Sequence, residues 1–282
     1  MPVPSEQHDE LDQLVVAVQS SAKYRTICPQ AIRRIGQRTL TQRRNRKEAI
    51  KEIKNTLHQI AGAYLTGTTR YDLWLHMLRS EDPVADVCRH ILTHHASTRE
   101  RLPFLETFYA ETLAGIAPVH SILDVACGLN PLAIPFMPLA PGACYVACDL
   151  FTDLADFLNA FFTLTPIRGQ ALACDILTDL PEPPVQLALV LKLLPILEQW
   201  DRQASLQLLR RLNASHILVS YPTRTLGGRG KGMGATYEAR FLEIVRTTGW
   251  PYRRFEFPNE LCFLISKSSG GNPDRLEPGL MG

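Results

Sequence analysis

The stretch SILDVACGLNPLAIPF, residues 121–136, sets the terms for the whole chain. The apolar run Ser121–Ala126 ends in Asp-Val-Ala and passes directly into Cys127-Gly128-Leu129-Asn130-Pro131. A strand opening into a tight turn has this form, and such a turn is where a parallel sheet holds a nucleotide-like ligand. Gly128 lets the backbone approach that ligand closely. Asn130 and Pro131 are suited to cap and start the following helix. The Gly-x-Gly-x-x-Gly spacing that cradles a diphosphate is missing.

Downstream of this turn, apolar runs alternate with helical stretches. Strands are expected at Ser121–Ala126, Cys144–Cys148, Gln170–Cys174, Gln186–Leu191 and His216–Tyr221, with helices near 131–138, 152–164, 196–212 and 236–248. This is the rhythm of a parallel sheet covered on both faces. YRRFEFPNELCFLIS then reads as a hairpin around Pro-Asn-Glu. Five parallel strands closed by an antiparallel pair resemble the Rossmann-like α/β domain of the class I S-adenosylmethionine methyltransferases. Residues 5–110 read as helical throughout, with Pro29 in the first turn of the second helix and further helices near 70–79, 83–95 and 99–115. The expected organisation is a smaller all-helical domain over 1–117, a methyltransferase-type α/β domain over 118–267, and a polar Gly/Pro-rich tail over 268–282.

In such a sheet the residues that close the strands face the ligand. Asp149 closes the second strand, where a carboxylate would accept two ribose hydroxyls, and Asp175 with Ile176 closes the third, suited to an adenine amino group and ring face. Lys192 closes the fourth after five apolar residues, and Ala126 and Gly128 close the first. NAD would want the same acid after the second strand, but it would also want the missing glycines. S-adenosyl-L-methionine has no diphosphate to cradle, so the single-glycine turn favours it.

The net charge of only +2 conceals an asymmetry. Between Lys23 and Lys54 eleven Lys or Arg stand against two acids, Glu48 and Glu52, so the rest of the chain is net negative. A basic end on a near-neutral protein suggests a polyanionic partner, here a nucleic acid, with Lys23, Arg25, Arg33, Arg34 and Arg38 as candidate contacts. The seven cysteines include no C-x-x-C pair. Cys144 and Cys148, four apart on a strand, are roughly 13 Å apart, so small buried hydrophobes are expected and no metal site. His94 and His95 point about 100° apart on a helix, which favours a helix-end histidine near the cofactor over a ligand pair. No run nears the ~20 apolar residues of a membrane helix. The N-terminus MPVPSEQHDE is polar and acidic, so the chain is expected to be cytoplasmic.

Four segments in order carry a more specific resemblance: SAKYRTICPQAIRRI with LHQIAGAYL, HHASTRER, ILDVACGLNP, and SYPTRTLGGRGKGM. Over most of residues 10–267 the chain is similar to the aminoglycoside-resistance 16S rRNA guanine-N7 methyltransferases. The resemblance implies transfer of a methyl group to N7 of one guanine in the decoding-site helix of the assembled 30S subunit, giving resistance to 4,6-disubstituted deoxystreptamines such as gentamicin and kanamycin. It further implies that Arg101 pairs with the methionine carboxylate, with Ser97 and Thr98 nearby. Ala126, Gly128, Asp149, Asp175, Ile176 and Lys192 would line the pocket, and Tyr64 would close it from the helical domain. The chain departs from the family's Gly-Met-Glu-Glu run: Met233 is followed by Gly234 and Ala235, so only Met233 is carried over.

The chemistry agrees. Guanine N7 bears an in-plane lone pair and no proton, so positioning and exclusion of water suffice, and no catalytic base is expected. Accordingly LKLLPILEQ after the fourth strand holds neither the Asn-Pro-Pro-Tyr run of amino methylases nor the Pro-Cys nucleophile of cytosine-C5 enzymes. A stacked guanine must be unstacked to expose N7. The loop PTRTLGGRGKGMG, with Arg224, Arg229 and Lys231, reads as a basic lid for that task. One ribosome-sized target suits a monomer. Other readings are methylation of a neighbouring A-site adenine N1, methylation of a small molecule, and a non-catalytic RNA-binding factor on the same fold.

Overall fold

The computed structural model describes residues 4–41, 45–61, 70–80, 83–199, 201–223 and 233–267. Three helices come first: α1 (Pro4–Gln19), α2 (Pro29–Leu40) and α3 (Arg46–Ala61). Pro29 occupies the first turn of α2, where its missing N–H breaks no helical bond. Each helix buries one stripe, and Leu14, Val18, Ile32, Ile35, Ile53 and Leu57 meet in a small core of their own. Lys23, Arg25, Arg38, Lys47 and Lys51 remain exposed around it.

Helices α4 (Tyr71–Leu78), α5 (Val84–Leu92), α6 (Ala96–Arg101) and α7 (Leu105–Leu113) follow. They leave the first three and share a core with the sheet instead: Trp74, Leu78, Ile91, Phe108 and Leu113 pack in one cluster with Ile122, Tyr145 and Phe157. The helix expected over 83–95 ends at Leu92, and that over 99–115 is divided. Pro103, which has no N–H to donate, sits in a 3-10 turn (Leu102–Phe104) between α6 and α7.

The sheet has seven strands: β1 (Val119–Val125), β2 (Leu139–Asp149), β3 (Arg168–Ala173), β4 (Val185–Leu191), β5 (Ala214–Pro222), β6 (Tyr252–Phe257) and β7 (Glu260–Ser266). Their order is β3-β2-β1-β4-β5-β7-β6; the first five are parallel and β7 runs antiparallel between β5 and β6. This is the class I arrangement expected from the hairpin ending, and the chain reverses its direction of winding between β1 and β4. Crossovers run through α8 (Thr152–Phe162), through α9 (Leu194–Glu198) with α10 (Ala204–Arg211), and through α11 (Met233–Thr248). β4 is apolar from Leu187 to Leu191 because both its faces are covered there: Leu187 and Leu189 enter one core, Ala188 and Val190 the other.

Two expected helices differ in kind. The helix expected over 131–138 is a 3-10 helix (Asn130–Phe136), since Pro135 inside it has no N–H to donate to an α-helical ladder. The expected helix over 196–212 is two helices, with the Asp201 carboxylate accepting the Gln203 N–H at 2.8 Å in a turn that starts α10 afresh.

Gly169 in β3 lies beneath the Phe162 ring of α8, and a Cβ there would stand 2.1 Å from a ring carbon. Substituting Gly169→Ala should therefore displace α8 and cost about 2 kcal/mol. A calorimetric scan should show Tm falling by about 5 °C; an unchanged Tm would mean that the ring moves aside freely.

Candidate functional site

Where β1 to β4 end, with α2 and α3 lying across them, a cavity of about 420 Å³ opens. Four residues expected from the strand ends line it: Ala126, Asp149, Asp175 and Ile176. Ile35 and Leu57 supply apolar wall from the helical side, and Arg34 and Arg38 supply cations. Asp149 is fixed by backbone donors, its Oδ2 accepting the Gly128 N–H at 2.8 Å and its Oδ1 the Leu150 N–H at 2.7 Å. Burial raises the Asp149 pKa, and these N–H groups oppose the rise.

The backbone at the switch point is itself unusual. Ala126 (φ 53°), Gly128 (φ 51°) and Lys192 (φ 57°) are all left-handed, two of them non-glycine. Strain of this kind persists where the surroundings hold it and gathers at ligand sites. At Gly128 a side chain is disfavoured twice over, by conformation and by the His95 ring, which a Cβ would meet at 3.0 Å.

Beside the cavity lies a buried polar cluster built from the remaining candidates. Arg101, on α6 and 1% exposed, donates through Nε and Nη2 to the Glu260 carboxylate at 3.1 and 2.5 Å, and through Nη1 to Asn130 Oδ1 at 3.0 Å. Burial alone would raise the Glu260 pKa, but the charges of Arg101 and then Lys192 outweigh it and hold Glu260 below its ordinary value. Lys192 Nζ donates to Glu100 at 2.8 Å and to the Ser97 carbonyl at 3.3 Å, and lies 3.6 Å from Glu260. The Ser97 hydroxyl bonds His95 Nδ1 at 2.8 Å. Burial, then the Lys192 and Arg101 charges, lowers the His95 pKa to about 4, so the ring over Gly128 is neutral near pH 7. Thr98 is buried and donates to the Leu92 carbonyl at 2.7 Å, binding α6 to the end of α5.

Several members of this cluster had escaped the sequence. Asn130, expected to cap the following helix, instead faces the cluster: its Oδ1 accepts from Arg101 and from Tyr109 Oη (2.7 Å), and its Nδ2 donates to Asp124 (2.9 Å). Tyr145 Oη donates to the same Asp124 oxygen at 2.7 Å. The one legible signal was a single acid inside an apolar run, Asp124 in SILDVA and Glu260 ahead of LCFLI.

The basic candidates divide. Arg25 and Arg38 are exposed, and Lys23 is exposed with its Nζ 2.9 Å from His58. Arg33 donates to Asp12 at the surface at 2.8 Å, whereas Arg34 turns inward and pairs with Asp175 in the cavity. Tyr64, Arg224, Arg229 and Lys231 lie outside the described residues, and Met233 is the first residue of α11.

Residues 20–264 match the family described as ribosomal RNA methyltransferase (FmrO). The chain belongs to the FmrO family. A 16S rRNA (guanine(1405)-N(7))-methyltransferase of Micromonospora echinospora is 34% identical over 267 residues, spanning 92% of this chain and 97% of that protein. One of the same name from Serratia marcescens is 35% identical, spanning 92% and 99%. Among solved structures, the 16S rRNA methyltransferase RmtF in complex with S-adenosyl-L-homocysteine shares 31% identity and a TM-score of 0.77 over 92% of this chain and 98% of that one. As an FmrO-family protein the chain is an S-adenosylmethionine-dependent rRNA methyltransferase.

The residues fit that cofactor. Acids stand at the ends of β2 and β3, Ala126 and Ile176 give the cavity apolar wall, and a Cβ at Gly128 would be crowded by the His95 ring.

Asp124 offers a pH test of the cluster. Burial pushes its pKa up to about 7, against the hydrogen bonds from Asn130 and Tyr145. Since this folded value lies above the unfolded one, the group's stabilisation is complete below the unfolded carboxylate range and is lost as pH rises through about 7. Asp124→Asn retains an acceptor oxygen and removes the titration. In urea melts between about pH 5 and about pH 8, wild type should lose stability relative to Asp124→Asn as pH rises. Parallel profiles would mean that Asp124 is already ionised at the acid end.

Proposed function

We propose that the chain methylates N7 of the 16S rRNA guanine at position 1405, the position named for its relatives. We further propose that its substrate is the assembled 30S subunit, and that it acts as a cytoplasmic monomer conferring resistance to gentamicin and kanamycin. The observation that carries this reading is the extent of the likeness. The matching residues include the basic helices as well as the cofactor sheet, so the element suited to a polyanion and the element suited to the methyl donor are shared together.

Bound S-adenosyl-L-methionine supplies a methyl group activated by a sulfonium centre. Asp149 would hold its ribose, Asp175 and Ile176 its adenine, and Ala126 and Gly128 would let it lie against the β1 turn. Arg101 is the residue for a carboxylate at the methionine end, and its fixed attachment to Glu260 and Asn130 orients the guanidinium. Tyr64 would close the pocket. Guanine N7 has no proton to lose, so these side chains position the partners and exclude water, and no base is required. The exposed Lys23, Arg25 and Arg38 would contact phosphate, setting register rather than reading sequence. Arg224, Arg229, Lys231 and Met233 would present the base.

Purified protein with labelled cofactor should methylate 30S subunits and leave naked 16S rRNA unmodified, with the label mapped by mass to guanine N7. Expression in a sensitive bacterium should raise gentamicin resistance and leave apramycin susceptibility unchanged; apramycin resistance would point to the adenine N1 instead. Asp149→Ala should abolish cofactor binding in calorimetry, and an unchanged affinity would remove Asp149 from the pocket.

A further inference from the structure

Arg34 belongs by sequence to the basic run and by position to the cofactor cavity. It follows Arg33 in IRRI, so the two side chains leave α2 about 100° apart. Arg33 goes outward to Asp12, and Arg34 goes down onto Asp175, whose side chain is 2% exposed. Arg34 Nε donates to Asp175 Oδ2, while the Leu177 N–H donates to Oδ1 at 3.2 Å, so the carboxylate is gripped on both oxygens.

A second contact joins the same two parts of the molecule at the neighbouring strand. Just before α2, Ile27 forms a short antiparallel bridge with Phe151. There the Cys28 N–H donates to the Leu150 carbonyl at 2.8 Å, and the Thr152 N–H donates to the Thr26 carbonyl at 2.7 Å. Leu150–Thr152 is the segment that immediately follows Asp149. Residues 26–34 thus touch both loops that carry the cavity's acids: the β2 loop through backbone bonds and the β3 loop through an ion pair. Ile35 and Arg38 continue the same helix along the cavity wall.

From these contacts we infer that Arg34 is a cofactor-site positioning residue and that residues 26–38 clamp the ribose-end and adenine-end loops together. Seating of the three-helix unit and occupation of the cavity are then coupled. The clamp rests on the cofactor reading given above. Arg34 acts through Asp175: it fixes which carboxylate oxygen faces the cavity. Any ligand that draws the two acids together tightens α2 onto the sheet, and by reciprocity a loosened α2 weakens the ligand.

The test uses the full chain and S-adenosyl-L-homocysteine as the probe, with affinity by calorimetry and amide hydrogen exchange of residues 29–40 with and without the probe. Wild type should bind and should show slower exchange in α2 when bound. Arg34→Ala should weaken binding about tenfold, the coupling typical of groups in one ion-pair network, and should lose the probe-dependent slowing. Arg34→Lys keeps the charge without the guanidinium fork and should recover part of both. Arg33→Ala, on the outer face, should match wild type in both readouts. A cooperative thermal transition in each variant separates these effects from misfolding. Unchanged affinity and unchanged protection in Arg34→Ala would overturn the clamp, and so would tighter binding, which would make the ion pair a competitor of the cofactor. Failure of wild type to bind the probe would overturn the cofactor reading, and the clamp with it.

Discussion

Arg101 and Glu260 are 159 residues apart in the chain and are both removed from water, joined by two hydrogen bonds in the fork geometry of guanidinium and carboxylate. Taking two charges into an interior is expensive, and a buried pair by itself is poor evidence of stability. What such a pair does enforce is position, because removing either partner leaves the other charged and unsolvated at a cost of about 3–5 kcal/mol. Here the enforced position is shared by many elements. Glu260 opens β7, Arg101 ends α6, Asn130 follows the β1 turn, and Lys192 ends β4. Asp124 and Tyr145 carry the same network into β1 and β2. Strands β1, β2, β4 and β7 are thereby tied to one another by polar bonds whose geometry is directional, where apolar packing alone would let them slide.

That rigidity suits the chemistry. A nucleophile with a free lone pair needs no proton removed, so the enzyme's contribution lies in alignment, and alignment degrades over fractions of an ångström. The left-handed backbone at Ala126, Gly128 and Lys192 is local strain that only a well-held surrounding maintains. The His95 ring on Gly128 and the backbone grip on Asp149 show that surrounding at close range. Strained turn and buried network are therefore two parts of one arrangement: the first shapes the pocket, the second prevents it from relaxing.

Much of this was legible in the sequence, for a definable reason. In a parallel sheet buried on both faces, strands are largely apolar runs, and a charged residue at the end of such a run stands out; of those read that way, Asp149 and Asp175 line the cavity and Lys192 lies in the polar cluster beside it. The hairpin was legible from its turn. What could not be read were pairings across long separations, because periodicity carries no information about partners: Asn130 looked like a cap, and Glu260 like a hairpin residue. Helix continuity failed for a different reason. Apolar spacing persists through Pro103, Pro135 and the Asp201 turn, while backbone hydrogen bonding does not.

Counting charge along the chain has the same blind spot. A run of eleven basic residues against two acids reads as one surface, yet adjacent arginines on a helix must diverge, so a run of this kind necessarily supplies cations to more than one side. α2 has an outer side that carries Arg33 and Gln37 and an inner side that carries Arg34 to Asp175. A helix with one side toward a polyanion and the other in a cofactor cavity belongs to two binding sites at once. On the function proposed above, free energy gained at either would be shared with the other in equal measure, whichever ligand arrives first. For an enzyme whose substrate is large and whose cofactor is small, such sharing would join the two binding events through the seating of one helix.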